Sequence, residues 1–350
     1  MIVVMNMRRT EAQRDAILLR LQAIGLRGQE IEGVARTVIA VLGNVYPELR
    51  DELSTMKGVD EVLRISKPYK LASREVHQDD TIVTLPYGVN VGGKRPVMIA
   101  GPCAIETEDQ LWAAAKGVRD GGAHILRGGA FKPRSSPYSF QGLGVPGLKM
   151  LRNAGDRLGM PVITELLSVR DVDVVAQYAD VLQIGARNTQ NFVLLEEAAK
   201  TGKPIMLKRA IAGTIEEWLL AAEYILNAGN SQVFLCERGI RTFETATRNT
   251  LDLNAIALVK RLSHLPVVCD PSHGTGKWYL VRPLCMASLA VGADGLMVEV
   301  HPSPDHALSD GAQSLTPGNF ASLMHEASML ATAVGRPFAP VPPPVAQPVA

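Results

Sequence analysis

The sequence predicts an α/β protein, a (β/α)8 TIM barrel preceded by a small ferredoxin-like α+β domain. Three observations carry this reading. After Pro96, eight short β-rich apolar runs alternate with longer helical patterns, the signature of parallel βαβ units. The first 67 residues read instead as β-α-β-β-α-β, a split βαβ arrangement. The chain has 350 residues and one barrel takes about 250, so a large and a small domain both fit. An open doubly wound sheet shares the local signature of the eight repeats.

In chain order, Ile2-Val3-Val4-Met5 is the first strand. Thr10 can cap a helix that carries Ile17, Leu18, Leu21 and Ile24 at helical spacing, and Gly25 ends it. Gly28 to Glu32 and Thr37 to Leu42 read as strands around a turn at Gly33. Pro47 starts a second helix with Leu49 and Leu53 on one face, and Val59 to Ile65 is the fourth strand. The small domain ends near Lys67-Pro68, and residues 68–95 form a linker with a hairpin around Tyr87 to Gly93.

The barrel is expected over residues 96–336. Its strand candidates are Val97 to Ala100, His124 to Arg127, Val162 to Glu165, Val181 to Ile184, Ile205 to Lys208, Val233 to Cys236, Val267 to Asp270 and Leu296 to Glu299. Helices between them include Glu108 to Gly121, Val169 to Tyr178, Gln190 to Lys200, Ile215 to Asn227 and Asn249 to Ser263. Residues 337–350 hold five prolines within Pro340 to Pro348, which suit neither helix nor central strand and predict a disordered tail.

Composition excludes several classes. Hydrophobic residues are 47%, enough for a core, while aromatics are only 5% and small aliphatic residues dominate. A net charge of +1 gives no bulk attraction to nucleic acid or to an anionic membrane. The four cysteines, Cys103, Cys236, Cys269 and Cys285, form no C-x-x-C pair and suggest no disulfide framework. Met1 to Met5 followed by Arg8 and Arg9 has the wrong order and length for a signal peptide, and no apolar stretch is long enough for a bilayer. A cytoplasmic protein is expected.

Barrel chemistry comes from the C-terminal ends of the strands, and here almost every end carries a reactive side chain. Two sets separate. Arg127, Lys132, Arg134, Arg187, Lys208 and Arg238 are cationic, and guanidinium groups bind phosphate and carboxylate in bidentate fashion. Cys103, His273, Glu299 and Asp310 combine a thiol, an imidazole and two carboxylates, a donor set suited to one divalent ion such as Mn²⁺, Fe²⁺, Co²⁺ or Zn²⁺. Scattered ligands favour a catalytic over a structural metal site. Each residue alone also has a plain reading: Cys103 as a buried small hydrophobe, His273 as a satisfied loop histidine, Glu299 and Asp310 as surface carboxylates, Lys208-Arg209 as a solvated edge. Their joint placement at strand ends carries the argument. His301 reads equally as a loop residue supporting its neighbours.

Six motifs point further. Ile99-Ala-Gly-Pro-Cys-Ala-Ile-Glu106, Lys132-Pro-Arg-Ser-Ser-Pro-Tyr-Ser-Phe-Gln-Gly142, Ile184-Gly-Ala-Arg187, Cys236-Glu-Arg-Gly239, Asp270-Pro-Ser-His273 and Ser309-Asp-Gly311 together resemble the motif set of the type I-beta 3-deoxy-D-arabino-heptulosonate 7-phosphate (DAHP) synthases. The stretch from Lys132 is the specific one; a lone Gly-Pro-Cys is weak. The N-terminal segment resembles, by pattern and position, the regulatory domain that some members carry. The resemblance implies a metal-dependent transferase that condenses phosphoenolpyruvate with erythrose 4-phosphate, at the start of the shikimate pathway of aromatic amino acid and chorismate biosynthesis.

The resemblance also implies roles for individual residues: Cys103, His273, Glu299 and Asp310 as metal ligands, Arg127, Lys132, Arg187, Lys208 and Arg238 around phosphoenolpyruvate, Arg134 and Ser135 around erythrose 4-phosphate. It implies a homotetramer, and it admits an aromatic amino acid effector and a chorismate mutase partner. Ser135 stands where many members have Thr, and Ala312 stands where Pro often follows Asp-Gly, which loosens the loop carrying Asp310. Lys132, placed among cations, is a candidate general acid with a lowered pKa, or only a phosphate anchor. Three rivals remain. A 3-deoxy-D-manno-octulosonate 8-phosphate synthase carries Lys-Ala-Asn-Arg-Ser-Ser where this chain has Lys132-Pro-Arg-Ser-Ser. A Schiff-base aldolase would use Lys132 or Lys208 and no metal. An inert barrel would serve as an amino-acid sensor.

Overall fold

A computed structural model of the chain describes residues 1–32, 37–63, 67–133 and 136–341. These fall into two compact units: Met1–Asp80 with Arg261–His264, and Thr81–Lys260 with the residues from Leu265 on. The division thus falls inside the stretch that the sequence marks as a linker.

The first unit runs β1 (Ile2–Met5), α1 (Glu11–Ala23), β2 (Arg27–Glu32), β3 (Thr37–Leu42), α2 (Leu49–Ser54) and β4 (Val59–Leu63). Its sheet is antiparallel in the order β2-β3-β1-β4, the ferredoxin-like arrangement. The ends of α1 follow the sequence closely. The Thr10 side chain accepts from the Gln13 N–H while the Gln13 side chain accepts from the Thr10 N–H, and Gly25 takes the left-handed backbone after the helix (φ +73°). Ile17 and Leu21 of α1 and Leu49 and Leu53 of α2 pack on Val3, Met5, Ile39 and Val41 of the sheet. The Gly33 turn lies outside the described residues.

Residues beyond the sheet belong to this unit as well. The Arg74 backbone N–H donates to Leu262 O (2.9 Å) and its Nε to Ser263 O (3.1 Å). His264 Nε2 lies 2.7 Å from Leu71 O, and its ring stacks on His77 at 4.3 Å. Burial dominates the titration of His264 and takes its pKa down to about 4, with the charges of His77 and Arg74 acting in the same direction.

The second unit opens with a short hairpin, β5 (Val83–Thr84) and β6 (Asn90–Val91), turned by Tyr87 and Gly88 at φ +59° and +74°. Eight parallel strands then close a barrel in chain order: β7 (Val97–Gly101), β8 (Ile125–Arg127), β9 (Val162–Leu166), β10 (Val181–Ile184), β11 (Ile205–Lys208), β12 (Val233–Glu237), β13 (Val267–Cys269) and β14 (Gly295–Glu299). Closure by β14 against β7 removes the open-sheet alternative. The helices are α3 (Glu108–Asp120), α4 (Val145–Leu158), α5 (Val172–Tyr178), α6 (Phe192–Lys200), α7 (Ile215–Asn227), α8 (Leu253–Leu262), α9 (Pro271–Thr275), α10 (Trp278–Ala290) and α11 (Pro317–Ala333). Helix α4 is not among those expected from the sequence, because its opening Val145-Pro146-Gly147 resembles a loop. Proline is tolerated in the first turn of a helix because its missing N–H has no partner there anyway.

The two-residue period of a strand explains what fills the barrel. One buried cluster joins Val97, Ile99, Ile125, Ile163, Val181, Met206, Phe234, Cys236, Val268 and Met297 with Val83, Leu85, Val89 and Val91 from the hairpin segment. The inner apolar layers are therefore continuous with that segment, which seals the end where the strands begin. Two residues further along each strand line, the inward positions become Gly101, Arg127, Glu165, Gln183, Lys208, Arg238, Asp270 and Glu299. Gly101 is required: its φ is +150°, and a Cβ would sit 2.1 Å from Arg127 O.

The tail expected to be disordered from Pro337 is ordered at its start. Ala339 O lies 2.7 Å from His124 Nε2, and Phe338 stacks on the His124 ring at 6.0 Å. The buried imidazole offers a polar group that the backbone satisfies. Residues 342–350, most of the prolines, lie outside the described residues. Among the described residues no helix is long and apolar enough to cross a membrane.

His264 sets a pH dependence for the first unit. Its folded pKa of about 4 lies below the ordinary histidine value of 6.5, so between these values the unfolded chain binds more protons and stability rises with pH. The stabilisation is complete above about pH 6.5 and is lost as pH falls toward 4. A tenfold change in proton affinity is worth about 1.4 kcal/mol. Urea unfolding between pH 7 and 4 is expected to show this loss, and His264→Gln, which keeps a donor toward Leu71 O, is expected to flatten it.

Candidate active site

The eight inward positions at the strand ends bring three anions and three cations into one buried layer, and two pairs neutralise. Arg127 Nη1 donates to Glu299 Oε1 at 2.8 Å, and Lys208 Nζ to Asp270 Oδ2 at 2.6 Å, with each of these side chains no more than 5% exposed. Removing one member of such a pair costs about 3–5 kcal/mol because the other charge stays buried. Arg238 has no carboxylate partner among the described residues. It is 5% exposed, and among the described residues its one hydrogen bond runs from Nη1 to Gly239 O at 3.2 Å. Burial lowers its pKa from the usual arginine value, with Asp270 opposing. Arg209, which follows Lys208, plays another part: it is buried between Glu237 (2.9 Å) and Asp252 (2.8 Å) and holds the loop.

Loops add the remaining groups. After β8, Lys132 Nζ donates to Cys103 Sγ (3.0 Å) and to Cys103 O (3.1 Å). Burial pushes the Lys132 pKa down, but Cys103, Glu165 and Glu299 outweigh it and hold the pKa above the usual lysine value. The sequence-based expectation of a lowered pKa among cations is thereby corrected, since the ammonium sits against the Cys103 sulfur and in the field of the Glu165 and Glu299 carboxylates. Arg187, on the loop after β10, is exposed and lines the cavity. Arg134 and Ser135 lie outside the described residues.

A cavity of about 340 Å³ opens at this end of the barrel. Lys132, Arg187, Lys208, Arg238 and Arg248 line it together with Glu165, Gln183, His273 and Asp310. Ser136 and Ser139, from the loop that follows Lys132, contribute hydroxyls. Gly185 leaves room for the Glu165 carboxylate, because a Cβ on it would sit 1.9 Å from Glu165 Oε1 and displace it.

Beside the cavity, ligand atoms of Cys103, Glu299 and Asp310 all lie within 4.8 Å of one another. Cys103 Sγ donates to Asp310 Oδ2 at 3.1 Å and lies 3.3 Å from Ser309 Oγ. Burial, with the Glu299 charge, pushes the Cys103 thiol up to about 12, so the free thiol keeps its proton. His273 stands just outside this group, with Nε2 3.5 Å from Glu299 Oε1. Its Nδ1 lies 2.7 Å from Asp270 Oδ2. Burial lowers the His273 pKa. Against the cost of burial, His273 and Lys208 hold the Asp270 carboxyl well below its ordinary value. A neutral imidazole beside an ionised carboxylate must carry its proton on Nδ1. The Nε2 lone pair then faces a carboxylate oxygen, an acceptor against an acceptor, and a cation between them would satisfy both. The donor set therefore fits a divalent first-row metal.

Asp310 is set in a left-handed conformation, φ +54° and ψ +32°. Such a backbone costs a non-glycine residue about 1–3 kcal/mol and persists only when its surroundings hold it. Against the cost of burial, His273 and Arg248 hold its pKa down to about 2. The turn after it is fixed as well. Ser314 Oγ donates to Asp310 O at 3.1 Å, and a Cβ on Gly311 would meet Pro304 O at 2.1 Å. Ala312 sits inside that 3-10 turn. His301 points to another partner, with Nε2 3.4 Å from Glu106 Oε2 and Nδ1 accepting from the Ser303 N–H.

A family model for the DAHP synthetase I family matches residues 76–334. The chain belongs to the DAHP synthetase I family. A second model, for the DAHP synthase ferredoxin-like domain, matches residues 1–67. The chain is 49% identical over 335 residues to a phospho-2-dehydro-3-deoxyheptonate aldolase of Thermotoga maritima, covering 96% of this chain and 99% of the relative. The crystal structure of a Thermotoga maritima phospho-2-dehydro-3-deoxyheptonate aldolase (DAHP synthase) superposes with a TM-score of 0.77 at 48% identity, covering 97% of this chain and 99% of that one. A 2-dehydro-3-deoxyphosphooctonate aldolase of Syntrophotalea carbinolica is more distant, 33% identical over 246 residues, covering 65% of this chain and 88% of the relative.

Of the family's expected site residues, the described barrel end gathers Cys103, Arg127, Lys132, Arg187, Lys208, Arg238, His273, Glu299 and Asp310. Sequence reasoning misses Glu165, Gln183, Arg248 and Gln313. Strand parity could have found Glu165 and Gln183, two residues after Ile163 and Val181. Arg248 and Gln313 sit on loops with no periodic signal.

The unpaired buried guanidinium leads to a direct expectation. Inorganic phosphate is expected to raise the melting temperature of the wild-type chain, by about 2.7 kcal/mol of stability at a hundred times its Kd. Arg238→Ala is expected to lose most of that gain. Without phosphate it is expected to be as stable as wild type or more so, because it removes a charge buried without a counter-ion among the described residues.

Proposed function

We propose that this chain is a DAHP synthase, which condenses phosphoenolpyruvate, D-erythrose 4-phosphate and water to DAHP and phosphate. Membership of the family and near full-length likeness to a named aldolase of that kind support the activity. The observation that carries the chemistry is the uneven charge of the barrel end. Its buried ion pairs are balanced, yet Lys132, Arg187 and Arg238 remain around one cavity without a carboxylate ion pair among the described residues, beside a Cys-His-Glu-Asp cluster. A Schiff-base aldolase needs no such cluster, and an inert sensor barrel has no use for buried unpaired cations.

In the reaction, C3 of phosphoenolpyruvate attacks the aldehyde carbon and forms the new C–C bond. Water adds at C2, and the C2–O bond to phosphate breaks, leaving the ketone and inorganic phosphate. We assign phosphoenolpyruvate to Arg127, Lys132, Arg187, Lys208 and Arg238, of which all but the exposed Arg187 are held by buried contacts that would keep its carboxylate and phosphate in one orientation. Arg134 and Ser135 are assigned to erythrose 4-phosphate. Lys132 carries its proton at neutral pH and so can hold phosphate; its pKa is held above the usual lysine value, which favours the anchor role over that of general acid to the new alkoxide. Cys103, His273, Glu299 and Asp310 are assigned to one divalent ion, with His273 oriented by Asp270. When bound, the ion supplies a Lewis acid for the aldehyde oxygen or a template for the water.

The four-carbon acceptor is preferred to arabinose 5-phosphate on the motif Lys132-Pro-Arg-Ser-Ser and on the greater identity to the heptonate enzyme. We further propose a cytoplasmic homotetramer in which the ferredoxin-like unit binds an aromatic amino acid effector. A chorismate mutase partner is part of the same reading.

Stripping with a chelator and assaying phosphoenolpyruvate loss is the test. Activity with erythrose 4-phosphate is expected to vanish and return with Mn²⁺, and arabinose 5-phosphate is expected to react at least about 100-fold more slowly, about 2.7 kcal/mol of discrimination. Full activity in protein shown to be metal-free would overturn the metal assignment. Preference for arabinose 5-phosphate would overturn the acceptor.

A further inference from the structure

Three of the four proposed ligands share a support that comes from neither their strands nor their own loops. The residues Arg248-Asn249 lie on the loop between β12 and α8. The Arg248 N–H donates to Thr275 O (2.9 Å), the Asn249 N–H to Gly274 O (3.0 Å) and Asn249 Nδ2 to His273 O (2.8 Å). This fixes the dipeptide against α9, the short helix that presents His273. A Cβ on Gly239 would sit 2.7 Å from Asn249 Cβ, so the loop packs closely on its other side too.

From that anchor the Arg248 guanidinium crosses to the loop after β14. Nη1 donates to Asp310 Oδ1 at 3.2 Å and to Gln313 Oε1 at 2.8 Å. Gln313 is 2% exposed, and its Nε2 donates onward to Glu299 Oε2 at 2.7 Å. One nitrogen thus directs two carboxylates of the cluster, one directly and one through a buried amide. Asp310 is also the residue in the left-handed backbone. Nothing in its own turn directs its carboxylate toward Cys103, whereas Arg248 takes one oxygen and leaves the other for Cys103 Sγ.

We propose that Arg248 is a positioning residue that sets the metal affinity of the cluster, acting on Asp310 directly and on Glu299 through Gln313. This rests on the assignment of the metal to Cys103, His273, Glu299 and Asp310. Without Arg248 the charged groups of the cluster keep their neighbours on β8 and α9, but Asp310 loses the ion pair that aims it. Supporting groups of this kind change metal affinity by about 10–100-fold.

The test uses the full chain, Co²⁺ as probe and a competing chelator dye, with the thiolate-to-cobalt absorption as a second signal. Arg248→Ala is expected to weaken Co²⁺ binding by about 10–100-fold and to move the melting temperature of the metal-free protein by less than about 2 °C. Arg248→Lys, which keeps the charge and a donor, is expected to recover part of the affinity. Gln313→Met, which cuts only the branch to Glu299, is expected to weaken Co²⁺ less than Arg248→Ala and gives the answer if that variant fails to fold. Cys103→Ala separates the two claims. If it abolishes binding while Arg248→Ala and Gln313→Met bind as wild type, the positioning role is wrong and the metal assignment stands. If Cys103→Ala also binds as wild type, the metal assignment is wrong. A large loss of metal-free stability in Arg248→Ala without restoration by lysine would make the residue a general structural support and overturn the proposal.

Discussion

Burial of charge at the C-terminal end of the barrel strands governs this molecule. A parallel barrel has a packed interior, and its inward positions recur every second residue. Apolar side chains fill those positions up to the level of Met206, Cys236 and Met297. One step further the chain places Arg127, Glu165, Lys208, Arg238, Asp270 and Glu299. No single one of these is tolerable alone in a dry interior. They are tolerable together because Arg127 meets Glu299, Lys208 meets Asp270, and the cavity beside them opens to solvent.

That constraint and the chemistry are linked. Pairing fixes the side chains in single orientations, which catalysis by positioning requires. Asp270 shows the economy of the arrangement: one buried carboxylate takes Lys208, orients His273 and caps the helix that carries it. On the proposed function, the cations without a carboxylate partner among the described residues are where anionic substrates would bind. On the same proposal, the carboxylates and thiol that face one another are where a metal cation would bind. The two sites share a wall at Lys132, which touches Cys103 on one side and lines the cavity on the other.

Much of this is legible in the sequence, for identifiable reasons. The eight barrel strands and most helices follow from hydrophobic period, to within a few residues at their ends. The α1 boundaries follow from Thr10 and Gly25, whose chemistry acts locally. Strand-end residues such as Arg127, Lys208 and Glu299 are visible because parity and position place them at the mouth. Contacts between loops are not visible. That Lys132 meets Cys103, that Arg248 reaches Asp310, or that Ala339 meets His124, depends on residues tens to hundreds of positions apart. Pro146 and Gly147 hide α4 because a proline is admitted only in the first turn, and that turn has to be located first.

Cys103, His273, Glu299 and Asp310 are proposed to hold one divalent ion at the barrel mouth. Anomalous diffraction from crystals grown with Mn²⁺ or Co²⁺ tests it directly. One strong peak is expected at about 2.0–2.4 Å from Cys103 Sγ, His273 Nε2 and carboxylate oxygens of Glu299 and Asp310. A peak bound elsewhere, or an empty cluster in crystals whose dissolved protein is active and metal-loaded, would contradict it.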